Sequence, residues 1–332
     1  MRNFVKLRQI ELNEASLRLS WLALCCMIFV VYIHVGTLYN FKGDLAVVLN
    51  LIVARTLAMA AVPIFFAISG FLLVKKSLQS STFCIVVKNR AYSLLIPYVC
   101  WSVVYWACFK IHDGLDIVRL FGLDITTIPM YGVLWYIRLL FVLVLLSPLL
   151  RHFVRRFGAL AVIGVYSIAV LVKFWCGSNI DRLVFVNNGI SPLGISFFLA
   201  GIWIAEKGVP VVRRKIAWHS LLALVVILTS TVVIVNDQTI ASGVRFLSIP
   251  FIALCMAVGP VPFKVPTWVS RALIGVYLLH SILLKAFAKV VPSLNAFEYV
   301  MVGAAAFILS LSVACGMRKW LPWCRTLFLG GR

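Results

Sequence analysis

Long apolar runs recur along the chain, separated by short polar breaks. Ten such stretches are visible, at approximately 19–39, 49–74, 92–109, 131–150, 158–176, 190–206, 216–235, 244–262, 272–292 and 299–317. Within them Leu, Val, Ile and Phe follow one another without the period-2 alternation of an outer-membrane barrel strand, so the pattern predicts helices. A helix crosses a hydrocarbon layer of about 30 Å with roughly 20 mostly apolar residues, and lipid offers the backbone no other hydrogen-bond partner. The expectation is an all-α fold: a polytopic transmembrane helical bundle of about ten spans. Residues 1–18 read as a cytoplasmic lead-in, 19–317 as one membrane domain, and 318–332 as a basic cytoplasmic tail.

The charges between the runs alternate in sign. Arg8 and Arg18, Lys75 and Lys76, Lys88 and Arg90, Arg151 and Arg155, Lys207 and Arg213, and Arg318 and Lys319 fall in one set of segments. Asp44, Asp113, Asp124, Asp181, Asp237 and Glu298 fall in the other. Lys and Arg collect on the cytoplasmic side, so an even number of spans with both termini in the cytoplasm of a bacterial inner membrane is expected. Composition agrees: 63% of the 332 residues are hydrophobic, 12% are charged and mean hydropathy is +1.05, which excludes an ordinary soluble domain. A net charge of +21 on a soluble chain would suggest nucleic acid. Split among short loops on one face, it serves orientation and contact with anionic membrane lipids instead, and no nucleic-acid partner is expected. The first eighteen residues contain no small-residue cleavage site, so the first span is expected to be retained as an anchor. The nine cysteines are scattered without a CxxC pair, giving no sign of a metal site or disulfide framework. No phosphate-binding glycine loop is present, which argues against a nucleotide-driven pump.

Chemistry must then be sought among polar groups that a bilayer discourages, each costing on the order of 2.5–3.5 kcal/mol at mid-membrane. These are His34, Arg55, Arg138, Lys173, His280, Lys285 and Lys289. The three lysines fall near predicted outer ends, where their chains snorkel to water. His34 lies sixteen residues after Arg18, about 24 Å along a helix, and His280 nine residues after Arg271, about 13 Å along another. Nothing in this spacing requires the histidines to meet. Each is a hydrogen-bonded packing residue or a proton-transfer group, the imidazole having an unperturbed pKa of about 6.5.

The order of several segments adds a resemblance. VYIHVG ending the first span is followed by VPIFFAISGFLLVKK (Val62–Lys76), KNRAYSLLIPY (Lys88–Tyr98), VLWYIRLLFVLVLLSPLL (Val133–Leu150), ISFFLAGIWI (Ile195–Ile204) and IGVYLLH (Ile274–His280). In this order the chain resembles the acyltransferase family 3 proteins over nearly its full length. The pairing of the first-span histidine with the PxFFxxSGFLL stretch is the most specific part. The resemblance implies a membrane O-acyltransferase that moves an acyl group, commonly acetyl from acetyl-CoA, to a hydroxyl of an envelope carbohydrate. Acyl-CoA is then a donor substrate, no cofactor is permanently bound, and a glycan or lipid-linked sugar is the acceptor. His34 becomes the expected catalytic residue, as general base or as acyl carrier, and Lys88 and Arg90 match the family's basic residues at the third span. One departure stands out: the family often carries Arg or Lys about eleven residues before the histidine, where this chain has Ala23, with Arg18 further back.

Other positions keep two readings. Lys88 and Arg90 hold the CoA phosphates or simply orient the chain. Ser69, before Gly70, shapes an acyl channel or belongs to a small-residue helix contact. Trp135 and Tyr136, at the outer entry to the fourth span, stack on a sugar or anchor at the interface. Arg138, one turn deeper, pairs with a carboxylate such as Asp124, a glycan phosphate or the thioester oxygen, and His280 is a further candidate for substrate contact. Ten spans with buried polar groups would also suit a transporter of a lipid-linked sugar, or a non-catalytic membrane protein. No repeated halves with interrupted helices are visible to favour transport.

Overall fold

The computed structural model describes residues 2–79, 83–110, 116–123, 128–176, 190–207, 215–235 and 237–331. Its helices are α1 (Arg2–Leu38), α2 (Asp44–Val53), α3 (Ala61–Gln79), α4 (Phe83–Phe109), α5 (Ile117–Leu120), α6 (Trp135–Leu145), α7 (Ser147–Phe157), α8 (Ala159–Cys176), α9 (Pro192–Lys207), α10 (Lys215–Ile234), α11 (Gln238–Val258), α12 (Thr267–Val290), α13 (Ala296–Trp320) and α14 (Pro322–Leu329). Among the described residues the only strands are β1 (Asn40–Phe41) and β2 (Ser293–Leu294), which pair in parallel.

Six of the ten predicted stretches form helices long and apolar enough to cross a membrane, within α1, α2–α3, α4, α11, α12 and α13. A seventh is the pair α6 and α7, bent by 69°. Two more, in α8 and α10, are shorter apolar helices. The remaining stretch is the sixteen-residue α9, whose Phe198, Leu199 and Ile202 are all but inaccessible. Large apolar side chains stay exposed around the bundle, among them Leu171, Trp175, Ile227 and Ile234. Such a belt is a liability in water and a match for lipid. The protein is a multi-pass membrane protein.

Two interruptions differ from the sequence expectation. The stretch 49–74 is not one continuous helix: α2 stops at Val53, and a 3-10 turn over Leu57–Ala60 precedes α3. At the break the Thr56 hydroxyl donates to the Leu51 carbonyl at 2.8 Å, and Arg55 Nη2 donates to Gly36 O on α1 at 3.0 Å. The first bond satisfies a carbonyl that a continuous helix would have paired, and the second ties the break to α1. The stretch 131–150 is broken where Pro148 opens α7; proline has no N–H to carry the helix on, so the chain bends there.

Glycines set the tightest packing. A side chain at Gly70 of α3 would strike the Phe198 carbonyl of α9, and one at Gly201 of α9 would strike the Ala67 carbonyl of α3, so each helix lies in the other's groove. Ser69–Gly70 is thus a small-residue helix contact on its glycine side. At one end of the bundle the β1–β2 pair joins the tail of α1 to the tail of α12, with Lys42 N–H donating to Leu294 O at 2.8 Å. At the opposite end Glu206 of α9 accepts from Arg151 of α7, and from Arg155 at 3.2 Å. The short α14 folds back onto the bundle: Trp101 Nε1–H donates to Phe328 O at 3.0 Å, and Leu329 has no exposed surface.

Candidate active site

His34 stands one turn before the end of α1, and His280 lies ten residues before the end of α12. The β1–β2 pair holds those two helix ends together, and their imidazoles come to 5.0 Å between ring centroids at 52°. The spacing along the sequence did not require this meeting; the fold makes it. His280 Nδ1 lies 3.0 Å from the Val276 carbonyl. A carbonyl only accepts, so Nδ1 carries the proton and neutral Nε2 keeps a lone pair. Nε2 is buried without a hydrogen-bond partner among the described residues. A buried nitrogen of this kind is costly unless something comes to meet it.

Lys285, five residues on from His280, is part-buried and meets a partner in the bundle. Its ammonium donates to the Tyr105 hydroxyl and sits 4.4 Å over the Tyr105 ring. Tyr105 stacks on Tyr131 at 4.6 Å, and the Tyr131 hydroxyl donates to Leu278 O at 2.5 Å. The lysine is part-buried among these tyrosines, near enough for its charge to act on His34. On the other flank Tyr277 lies 6.1 Å from His280 and 5.8 Å from Tyr136, whose hydroxyl shares a 3.3 Å hydrogen bond with Ser69. Tyr277 is itself fixed by donating to the Val133 carbonyl. Ser69 therefore faces the histidines' aromatic surround, while Gly70 beside it faces α9.

The remaining expected residues divide. Trp135 opens α6 and packs 6.2 Å from Phe66, beside Tyr136 and so at the edge of the same aromatic group. Arg138 turns instead to the connection between α5 and α6, donating from Nη1 to the Gly122 carbonyl at 2.7 Å. Tyr98 secures the same segment through Phe121 O at 2.8 Å. Asp124, named from sequence as a partner for Arg138, lies outside the described residues. Lys88 and Arg90 are in the first turns of α4, with Lys88 about 26 Å of helix away from Tyr105, and so at the opposite end of the bundle from His34. Arg18 does not reach round to His34. It donates to Ala257 O at 2.8 Å and Gly259 O at 2.6 Å, closing the carboxyl end of α11.

Sequence reasoning named Lys285 but gave it to snorkelling, and it missed Tyr105, Tyr131 and Tyr277 as site residues. The available signal was a lysine inside the apolar run LLHSILLK; the tyrosines looked like interface anchors. Among the described residues no group of three or more His, Cys, Asp or Glu could hold a metal ion. An apolar cleft of about 490 Å³, lined by Leu22, Ile68, Ile163, Phe197, Ala200 and Leu254 among others, lies toward the Arg18 end and contains neither histidine.

Paired imidazoles with an ammonium beside them have the chemistry that proton transfer and stabilisation of developing negative charge require. In comparison with known families, the model of the acyltransferase domain matches residues 17–317. The chain is 25% identical over 220 residues to the succinoglycan biosynthesis protein ExoH of Rhizobium meliloti (strain 1021), a match covering 59% of this chain. It spans only 55% of that relative's length. No solved structure matches significantly.

Proposed function

Because the chain belongs to the acyltransferase family 3 proteins, and is a membrane acyltransferase, we propose that it moves an acyl group from acyl-CoA, acetyl in the simplest case, to a hydroxyl of a cell-envelope carbohydrate. The observation that carries the reading is the His34–His280 pair with the part-buried Lys285 nearby. The protein sits in the bacterial inner membrane with about ten spans and both termini cytoplasmic, the bent and shorter helices counting as spans. Lys88 and Arg90 then face the cytoplasm and hold the phosphates of the donor, while His34 lies toward the outer half.

His34 takes the proton of the acceptor hydroxyl as its oxygen attacks the thioester carbonyl. The new carbon–oxygen bond forms, the carbon–sulfur bond breaks, and the proton passes to the departing CoA thiolate. His280, whose Nε2 has no partner among the described residues, is close enough to accept a ring N–H of His34 once that ring takes up the acceptor's proton. Lys285 supplies positive charge where the carbonyl oxygen becomes negative, the part that the missing cation upstream of His34 leaves open. Ser69 and Trp135 line the approach of the acceptor, and Arg138 holds the α5–α6 connection over it. Acylation of His34 itself, followed by transfer, uses the same groups.

The test is mass spectrometry of envelope glycans from cells lacking the gene, restored with it, or restored with His34→Ala. The expected result is an acyl increment that needs both the gene and His34. Unchanged acylation by a membrane-inserted His34→Ala protein would remove the mechanism, and no increment in any glycan would remove the function.

A further inference from the structure

The apolar cleft at the Arg18 end of the bundle has no part in the proton-transfer chemistry, and five helices build it. Leu22 of α1, Ile68 of α3, Ile163 of α8, Ala200 of α9 and Leu254 of α11 are among its walls. On α9 the lining runs from Ser196 to Ile204 and on α11 from Pro250 to Val258, about 12 Å of helix in each case. That is close to the depth of one leaflet, about 15 Å of hydrocarbon. Ile163 and Leu254 are 58% and 48% exposed, so the cleft opens sideways onto the surface that lipid covers.

Water does not suit this space. Pro250, inside α11, leaves the Phe246 carbonyl without its helical N–H, and the lining residue Tyr166 donates its hydroxyl to that carbonyl at 3.3 Å. Ser196 donates to Leu193 O at 2.7 Å. With both lining hydroxyl protons committed to backbone, water would find too few partners, and an empty cleft of about 490 Å³ would forfeit the dispersion contacts of its walls. Hydrocarbon satisfies both conditions. Cations mark one end. Arg18 lines the cleft there, fixed by its bonds to Ala257 O and Gly259 O, and the exposed Lys207 stands one turn beyond Ile204 on the same side of α9. Positive side chains at headgroup level attract anionic lipid.

We propose that the cleft binds one acyl chain of an anionic phospholipid from the leaflet at the Arg18 end, with its phosphate beside Arg18 and Lys207. The lipid is a wedge between the α8 and α9 side and α11, not a substrate, and the inference stands apart from acyl transfer. Moving a chain from bilayer to cleft exchanges one apolar surrounding for another, so selection comes from fit and headgroup charge and not from the hydrophobic effect. A straight chain one leaflet deep fills the cleft end to end, where the longer, branched isoprenoid of a carrier lipid would overrun it.

The test is native mass spectrometry of the full chain in detergent, delipidated and then given phosphatidylglycerol, phosphatidylcholine with the same chains, or decaprenyl phosphate. The wild-type protein should retain one phosphatidylglycerol, about tenfold more tightly than phosphatidylcholine, and His34→Ala should do so equally. Ala200→Phe, which fills the cleft, should weaken that binding about tenfold or more, whereas Ile227→Phe on the exposed belt of α10 should leave it unchanged. If Ala200→Phe does not fold, Leu254→Trp on the exposed rim narrows the same opening and should also weaken binding. Lys207→Gln should reduce the preference for phosphatidylglycerol over phosphatidylcholine. Equal binding by wild type and folded cleft variants overturns the site, as does the retention of no lipid. Equal affinity for the two phospholipids overturns the anionic head, and tighter binding of decaprenyl phosphate gives the cleft to a carrier lipid and overturns the phospholipid assignment.

Discussion

His280 donates Nδ1–H to Val276 O, which leaves Nε2 unpartnered among the described residues, in a ring 5.0 Å from that of His34. A leucine at 280 would preserve bulk and remove that lone pair, so His280→Leu should lower kcat about 100-fold or more and leave the donor KM near its wild-type value. Gln, which offers an acceptor oxygen from a similar length, should restore part of the loss; equal rates for the two variants would show that position 280 only packs. Lys285→Met should cost about 100-fold in kcat, as loss of an oxyanion partner does, with partial recovery in Lys285→Arg. Steady-state rates with labelled acetyl-CoA separate these effects on kcat from effects on KM. At this scale the sequence was half legible. His34 and His280 stand out because imidazole is expensive in lipid, yet their meeting depends on packing between opposite ends of the chain. The contact of Lys285 with Tyr105 was not legible, because periodicity places a lysine near a helix end without saying which way its four-carbon chain runs.

The elements were easier to read than their interruptions. Apolar length alone places a helix at each of the ten stretches, and the SG pair at Ser69–Gly70 marks a close contact. The break at Arg55 was hidden because Leu57–Ala60 is as apolar as the helices around it, and the bonds of Arg55 and Thr56 that stabilise it are made in three dimensions. Pro148 was no clear signal either, since Pro97 and Pro250 lie inside continuous α4 and α11. The α3–α9 contact makes a sharp prediction. Gly201→Val should destabilise the protein by about 1–3 kcal/mol, its side chain meeting the Ala67 carbonyl, whereas Ala200→Val, which faces the apolar cleft, should be nearly neutral. Melting curves of the two variants in one detergent compare them directly.

Across the whole molecule, the separation of Lys88 and Arg90 from the histidines orders the effects of mutation. On the proposed function, replacing both by Ala should raise the KM for acyl-CoA about tenfold while kcat for bound donor changes little, since phosphate contacts there would anchor the donor away from the reacting carbon. A fall in kcat with unchanged KM would place the donor elsewhere. The charge pattern along the sequence foretold this two-ended layout. The enclosure of the site by tyrosines from α4, α6 and α12 and the 131 connection had no periodic signature, because each looked like an ordinary aromatic near a helix end.

The strand pair joining α1 to α12 is only two residues long on each side, yet it holds together the helix ends that present the two imidazoles. Its amides, Asn40 N–H on Pro292 O and Lys42 N–H on Leu294 O, are therefore a native clock for the assembled site. Their deuterium uptake measures how often the clasp opens, and a ligand that draws the two halves of the chain together should slow it without touching either residue.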